Sequence, residues 1–228
     1  MNCDFLAIIP ARKNSKRIKK KNIKILNGKP LIWYSINEAK KVKKIDKIVV
    51  SSDDKEIIEY AKKNNVDSIL RPSSISLAET QQEEVIDHAI KYYKKKDLTF
   101  KYIILLQPTS PLRKSIDIIK CMKIIKDKKF NSVVSVYRKK LFTWSKNHKG
   151  SFICNYNPSN RIRSQNLKAT IIENGAIYIF KNSVFKKQKI KSRILNKTAL
   201  YEMSERSSVD IDELNDFKLA DFYLKRND

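Results

Sequence analysis

The residues best suited to chemistry form a basic loop that follows a short apolar segment near the N-terminus. Arg12, Lys16 and Lys21 lie in this loop, together with the pair Asn14-Ser15. Guanidinium and ammonium groups can neutralise a polyphosphate, and an Asn-Ser turn leaves backbone N–H groups free to point at an anion. We interpret the loop as a polyphosphate-binding site; the alternative is a solvated lysine run. The loop contains neither a Walker sequence nor a dinucleotide fingerprint.

A pair of acids near the C-terminus could hold a metal ion. Asp210 and Asp212 are separated by one residue. In an extended segment, alternate side chains point to the same face, so both carboxylates can converge on one hard cation. Asp212 could instead cap the helix predicted after it, but a cap needs only one acid. The pair therefore favours a metal site.

Three other segments place polar residues beside apolar runs. The run Tyr102–Leu106 leads into a loop with two prolines and two hydroxyls, residues 107–113, and Arg71 follows the run 66–70. Prolines make such a loop rigid, and open α/β sheets bind ligands at the carboxyl ends of their strands. Asn174-Gly175 begins a later strand, where glycine permits close approach of a ligand; an ordinary turn before a strand is the alternative.

The elements that must position these residues alternate between apolar strands and amphipathic helices, which predicts a doubly wound, mostly parallel sheet. Asp53 and Asp54 are predicted to be the cap and first-turn acids of the second helix, and Thr80 with Glu83 a capping box for the third. His88 is interpreted as structural. Strands are predicted at 5–9, 47–52, 66–70, 102–106, 132–136 and 173–180, and helices at 31–42, 53–65, 80–95, 115–128 and from 216.

Composition limits the class of protein. The 228 residues suit one α/β domain, 1–228, and no apolar run approaches the roughly 18 residues of a membrane span. The N-terminus has an apolar strand followed by a basic loop, which is the reverse of the order in a secretory signal. The three cysteines lack the CxxC spacing of metal and redox sites, which argues against disulfides and zinc. We therefore expect a soluble cytoplasmic protein. The net charge of +25 is spread as lysine over the chain, which argues against a nucleic-acid partner.

The hydrophobic pattern weakens from about residue 138 to 170, so we predict an excursion from the sheet. This segment contains the aromatic residues Phe142, Trp144, Phe152 and Tyr156. Aromatic side chains in such an excursion either contact a substrate or are buried in a subunit interface.

Several of these segments together resemble the CMP-nonulosonic acid synthetases, the cytidylyltransferases that activate sialic, legionaminic or pseudaminic acids with CTP. The matching strings are Pro-Ala-Arg from residue 10, Asn-Ser-Lys from 14, Leu-Arg-Pro from 70, Leu-Leu-Gln-Pro-Thr-Ser-Pro-Leu-Arg from 105, Asn-Gly-Ala-Ile-Tyr from 174 and Asp-Ile-Asp from 210. Two stretches depart from the family pattern: residues 78–83 keep only Thr80 of the element near the base, and Lys168 replaces a usual proline.

The resemblance implies a Rossmann-like three-layer nucleotide-diphospho-sugar transferase fold and a homodimer that exchanges the 138–170 excursion. It implies Mg²⁺ held by Asp210 and Asp212, and catalytic charge stabilisation by Arg12, Lys16 and Lys21. The implied nucleotide-binding residues are Arg12, Asn14, Ser15, Lys21, Asn22, Arg71, Thr80 and Gln107. The implied sugar-binding residues are Gln107, Thr109, Ser110, Arg163, Gln165 and Asn174.

Two alternatives to a CTP:nonulosonic acid cytidylyltransferase remain from the sequence. One is an enzyme of the same architecture that uses another sugar or nucleotide. The other is a basic protein that binds nucleic acid, which predicts salt-sensitive retention of DNA or RNA without turnover.

Overall fold

A computed structural model of the protein describes residues 1–13, 15 and 17–226. Asn14 and Lys16, both predicted site residues, lie outside the described residues. The strands are β1 (Asn2–Pro10), β2 (Ile25–Leu26), β3 (Lys29–Pro30), β4 (Lys47–Ser52), β5 (Asp67–Leu70), β6 (Thr99–Leu106), β7 (Ser132–Lys139), β8 (Trp144–Lys146), β9 (Phe152–Cys154), β10 (Thr170–Lys181) and β11 (Thr198–Glu202). The α-helices are α1 (Leu31–Lys40), α2 (Lys55–Lys63), α3 (Gln82–Lys94), α4 (Ser115–Lys126), α5 (Asn182–Lys187) and α6 (Leu214–Lys225).

Seven strands form one mixed sheet in the order β11-β7-β10-β6-β1-β4-β5. β10 runs antiparallel to its neighbours β6 and β7, and the other strand pairs of this sheet are parallel. The predicted mostly parallel sheet is therefore confirmed. The start of β10, because of its direction, lies at the same edge as the carboxyl ends of β6 and β7.

The core lies on both faces of this sheet, which gives three layers. Along β1, Phe5, Ala7 and Ile9 pack on one face with α1, α2 and α4. Leu6 and Ile8 pack on the other face with α3 and α5. This alternation explains why β1 reads as a continuous apolar run in the sequence, since a strand covered on both faces has no polar side.

A bulge interrupts β10 where Asn174-Gly175 was predicted to begin a strand. Glu173 pairs with Val136 but Tyr178 pairs with Val134, so the two strands change register between these points. Gly175 has φ +69°, in the left-handed region that favours glycine.

Two helix caps differ from the sequence prediction. Helix α2 is capped by Asp54, whose Oδ1 accepts from the N–H of Glu56 at 2.9 Å, and Asp53 takes no part in the cap. The N-cap of helix α3 is Gln81, one residue later than the predicted cap Thr80, so the predicted capping box of Thr80 and Glu83 is wrong. The carboxylate of Glu84 instead accepts from the N–H of Gln81 at 3.1 Å.

The chain between β7 and β10, where the sequence predicts an excursion, lies outside the large sheet. Its strands β8 and β9 form a separate two-stranded sheet. Trp144 and Phe152 on this hairpin are 58% and 68% exposed, while the Phe142 ring packs edge-on against Tyr156 at 5.0 Å. Large apolar side chains therefore point outward from the excursion.

Among the described residues, no helix has both the length and the apolar character that a bilayer crossing requires.

Candidate active site

A cleft of about 270 Å³ opens at the carboxyl edge of the sheet, beside the ends of β1 and β6. The basic loop after β1, Arg71 after β5 and the loop after β6 all contribute to its walls. Of the residues predicted from sequence, it is lined by Arg12, Ser15, Lys21, Asn22, Arg71, Thr80, Gln107 and Thr109. Residues from four separate segments are thus brought together at one edge.

The basic loop is closed on itself at its base. The side-chain amide of Asn22, which is buried, donates to the carbonyl oxygen of Arg12 at 2.9 Å. The guanidinium of Arg12 reaches across the cleft to the carbonyl oxygen of Ala78 at 3.4 Å. Asn22 therefore fixes the path of the loop, and Arg12 spans the cleft mouth.

Arg71 is held from behind by Asp53. The two side chains form an ion pair of 3.4 Å, and the same Asp53 oxygen accepts from the N–H of Lys13 at 2.8 Å. Burial lowers the pKa of Arg71, the carboxylate of Asp53 opposes that shift, and Arg12 adds to it. Two cations facing one cleft are electrostatically costly without an anion between them, so the arrangement favours a negatively charged ligand.

Lys21 joins the first loop to the acid pair near the C-terminus. Its ammonium donates to the carbonyl oxygen of Ile211 at 2.6 Å and to Asp212 at 3.3 Å. Asp212 also pairs with Arg17 at 3.0 Å. The basic loop and the acid pair therefore meet in the structure, although Lys21 and Ile211 lie 190 residues apart.

The loop after β6 is fastened to the same C-terminal segment. The N–H of Ile211 donates to the carbonyl oxygen of Thr109 at 2.8 Å. The buried guanidinium of Arg113 donates to the carbonyl oxygens of Gln107 at 3.2 Å and Ala176 at 2.7 Å, and to the hydroxyl of Ser35. Burial lowers the pKa of Arg113 to about 10, and Glu38 and Asp117 partly oppose this shift.

Gly175 lies close to both Gln107 and Asp210. A Cβ atom at this position would lie 3.1 Å from Oε1 of Gln107 and 3.7 Å from Oδ2 of Asp210. The bulge in β10 thus removes a side chain between these two groups, and only glycine leaves this space open at a positive φ.

Asp210 is a partly buried acid with spare hydrogen-bonding capacity. Its Oδ1 has no hydrogen-bond partner among the described residues. Burial raises the pKa of its carboxyl, and the negative charge of Asp212 raises this pKa further. The nearby hydroxyl of Thr109 lowers the pKa, although it does not form a well-aligned hydrogen bond with Asp210. A cation beside Asp210 would relieve both the burial and the repulsion from Asp212.

A second cleft of about 390 Å³ is lined by Asp210, which does not line the first cleft. Asn174 lines it but is 3% exposed, and its amide is engaged within the protein. Its Oδ1 accepts from the hydroxyl of Ser135 at 2.6 Å and its Nδ2 donates to the hydroxyl of Ser208 at 2.9 Å. Asn174 therefore holds the bulge and the C-terminal segment together.

Three other predicted sugar-binding residues do not line either cleft. Ser110 is fully buried, with no hydrogen-bond partner for its hydroxyl among the described residues. Arg163 and Gln165 are exposed in the excursion. Neither is among the residues that line the two clefts in this chain.

Two residues that organise the site were not predicted from the sequence to be part of it. Asp53 was predicted only to serve α2, although its position directly after β4 already placed it at the ligand edge. Arg113 ends the loop that follows β6, and its burial under this loop supports the site. Nothing in the sequence of the loop distinguishes this arginine from an exposed one.

The comparisons with known proteins agree with this geometry. A family model described as cytidylyltransferase matches residues 6–223. The chain belongs to the cytidylyltransferase family. This family member is 32% identical to the N-acylneuraminate cytidylyltransferase of Escherichia coli O18:K1:H7, over 96% of the chain and 52% of that relative. It is 31% identical to the N-acylneuraminate cytidylyltransferase of Oncorhynchus mykiss, over 94% of the chain and 49% of that relative. The chain spans about half the length of the curated relatives it matches.

Solved structures establish the fold of this family member. A CMP:2-keto-3-deoxy-manno-octonic acid synthetase complexed with CTP aligns with a TM-score of 0.73 at 15% identity, covering 98% of this chain and 99% of the other. A 4-diphosphocytidyl-2C-methyl-D-erythritol synthase from Anaerococcus prevotii aligns with a TM-score of 0.70 at 15% identity, with the same coverage of both chains. Both support the predicted Rossmann-like α/β nucleotidyltransferase fold.

Proposed function

We propose that this protein transfers a cytidylyl group from CTP to a nonulosonic acid of the sialic type, releasing pyrophosphate. The observation that carries the proposal is the contact of Lys21 with the Ile211–Asp212 segment, at a cleft that Arg12, Arg71 and Gln107 also line. The curated relatives, which are named N-acylneuraminate cytidylyltransferases, support the choice of sugar and nucleotide.

In this proposal the cations of the cleft bind the triphosphate. Arg12 and Lys21 offset charge at the α-phosphate and on the departing pyrophosphate, together with Lys16 from the same loop. Ser15, Asn22, Arg71 and Thr80 complete the nucleotide site. Stabilising charge that develops in the transition state is the main requirement of such a transfer, since little covalent chemistry falls to the protein.

Asp210 and Asp212 would hold Mg²⁺. The unpartnered Oδ1 of Asp210, the raised pKa of its carboxyl and the oxygen-only donor set all fit a hard cation. Among the described residues no cluster of three or more His, Cys, Asp or Glu side chains is placed to hold a metal, so phosphate oxygens and water would complete the shell. When bound, the ion would polarise the phosphate oxygens and align the two reactants.

The group transfer balances without another reactant. The anomeric hydroxyl oxygen of the sugar acid forms a bond to the α-phosphorus as the bond from that phosphorus to the bridging oxygen breaks. Pyrophosphate leaves with the bonding electron pair, and the hydroxyl proton passes to solvent. Gln107 contacts both substrates in this proposal, and Thr109 and Ser110 belong to the loop facing the sugar.

We also propose that the protein works as a homodimer in the cytoplasm. The exposed apolar side chains of the β8–β9 hairpin support an interface, and the distance of Arg163 and Gln165 from the clefts of their own chain supports delivery to a partner's site. Free thiols at Cys3, Cys121 and Cys154 suit a reducing compartment. A nucleic-acid partner is not part of the proposal.

The test is an assay of pyrophosphate release with a panel of nucleotides and sugars. CTP with neuraminic, legionaminic or pseudaminic acid should give a CMP-sugar by mass spectrometry, and the preferred acid identifies the substrate. ATP, GTP and UTP serve as nucleotide controls, and hexose 1-phosphates as sugar controls. Turnover only with another nucleotide or with a hexose 1-phosphate would overturn the proposal.

A further inference from the structure

Arg193 connects two parts of the active-site region that are far apart in the sequence. Its Nη1 lies 2.7 Å from Oε1 of Glu83, and its backbone N–H donates to the same oxygen at 3.3 Å. Glu83 is in the first turn of α3, next to Gln82. Gln82 lines the first cleft, which is proposed above to bind the nucleotide and is called the nucleotide cleft below. Arg193 therefore holds the end of α3 that forms one wall of that cleft.

The same guanidinium contacts β10 on its other side. It lies 4.5 Å from the centre of the Tyr178 ring, within the range of a cation–π contact. The hydroxyl of Tyr178 donates to Oε2 of Glu173 at 3.1 Å, and Glu173 lines the second cleft. The Arg193 side chain thus contacts both the end of α3 that forms a wall of the cleft and the strand that carries the Gly175 bulge.

The position of Arg193 is itself fixed by the core. Leu195, two residues further on, is buried, and its N–H donates to the hydroxyl of Ser132 at 2.9 Å. The side chains of Arg193 and Glu83 are only 22% and 13% exposed, whereas those of the surface pair Lys62 and Glu59 are both 59% exposed. A shielded, two-point contact of this kind restricts geometry in a way that a surface pair does not.

We propose that Arg193 is a positioning residue that sets the separation of α3 from β10 and so the shape of the nucleotide cleft. The inference rests on the proposed function for the identity of the nucleotide. Arg193 lies outside the residues that line either cleft, so its effect is expected on nucleotide affinity rather than on the chemical step.

The experiment compares Arg193→Gln, Arg193→Lys and Glu83→Gln with the wild-type protein. The dissociation constant for CTP is measured by calorimetry, and KM and kcat are measured by pyrophosphate release. We expect about a tenfold rise in the dissociation constant and KM for Arg193→Gln, with kcat within about twofold of wild type, because only uniform binding is lost. Arg193→Lys should give a smaller rise, since it keeps the charge but not the planar stacking on Tyr178.

The matched control is Lys91→Gln, which breaks an exposed pair with Asp87 on the same helix. It should leave the affinity for CTP unchanged. If Arg193→Gln binds CTP as tightly as the wild type, or loses kcat at unchanged affinity, the inference is wrong. If Arg193→Gln does not fold, Arg193→Lys and Glu83→Gln decide by the same criterion. Wild-type protein that binds CTP but turns over no nonulosonic acid contradicts the proposed function alone.

Discussion

The ammonium group of Lys21 donates a 2.6 Å hydrogen bond to the carbonyl oxygen of Ile211, across 190 residues of sequence. This bond brings the basic loop and the acid pair into one site. Each partner then has a second contact, Lys21 with Asp212 and the N–H of Ile211 with the carbonyl oxygen of Thr109. Three loops are therefore interlocked at the point where the phosphates would bind.

Replacing Lys21 with methionine should lower kcat by about 10²- to 10³-fold, because a preorganised cation is lost where negative charge develops. Asp212 keeps its pair with Arg17, so the fold should persist, as judged by circular dichroism. Lys19→Met, an exposed position in the same loop, is the matched control and should retain activity. Equal activity in Lys21→Met and wild type would contradict the assignment.

Asp210→Asn should raise the melting temperature of the metal-free protein while abolishing Mg²⁺-dependent turnover. Burial raises the pKa of the folded carboxyl above its ordinary value of 3.8, so the folded protein keeps this proton to a higher pH than the unfolded chain does. The wild type therefore loses folding stability as the pH rises through this range. The variant has no carboxyl at this position and does not show this loss.

Melting curves at neutral and acidic pH measure this effect. The advantage of Asp210→Asn should be full near neutral pH and should vanish below the ordinary pKa of the carboxyl. Added Mg²⁺ should stabilise the wild type more than the variant. A variant that melts below the wild type at neutral pH without metal would refute the account of Asp210.

Gly175→Ala and Gly28→Ala separate backbone strain from crowding of the site. Both glycines have positive φ, +69° and +76°, so alanine should cost about 1 kcal/mol of stability at each. At Gly28 a new Cβ meets no atom within 4 Å, whereas at Gly175 it presses on Gln107 at 3.1 Å. Urea unfolding should therefore show similar losses, and only Gly175→Ala should lose turnover, by about tenfold or more. Equal activity in the two variants would exclude a role for this contact.

Arg113→Met should destabilise the protein by about 3 kcal/mol or more, because the buried carbonyl oxygen of Ala176 and the Ser35 hydroxyl lose the guanidinium as donor, and the carbonyl oxygen of Gln107 loses one of its donors. Ser35→Ala, which removes one acceptor of Arg113 and one donor to the carbonyl oxygen of Gln107, should cost about 1 kcal/mol. Denaturant unfolding followed by fluorescence gives both values. A loss for Arg113→Met no larger than for Ser35→Ala would show that the arginine does not support the loop.

A mixing experiment tests whether Arg163 acts in the partner's site. Lys21→Met and Arg163→Ala should each be inactive alone, but a mixed dimer should regain activity at one of its two sites. That site combines an intact Lys21 from one subunit with an intact Arg163 from the other. Absence of recovery in mixtures shown by native mass spectrometry to contain mixed dimers would contradict exchange of the excursion.

Much of the site could be predicted because parallel strands deliver their carboxyl ends to one edge. Arg12, Arg71 and Gln107 each follow such a strand, so their convergence needed only the strand order to be roughly right. The direction of β10 could not be read from its apolar run, since a strand covered on both faces has the same pattern either way. The internal hydrogen bonds of Asn174 depend on the bulge and were equally hidden.

The local errors have simple causes. Thr80 is a better N-cap residue than Gln81 by intrinsic preference, but α3 begins at Gln82, and tertiary contacts such as the Glu83 pair with Arg193 decide its first turn. Two adjacent acids precede α2, so the sequence left open which of them caps the helix. In the structure only Asp54 accepts a hydrogen bond from the N–H of Glu56. The remaining acid, Asp53, was then available to Arg71.

The late position of Ile211 in the chain matters during synthesis. A ribosome will already have produced every strand of the large sheet before residues 210–212 emerge. Such a nascent chain has the cations of the first loop but lacks Asp210 and Asp212, which hold the metal ion in the proposed function. Translation that stops short of these residues should therefore yield a molecule with most of its architecture and none of its catalytic capacity.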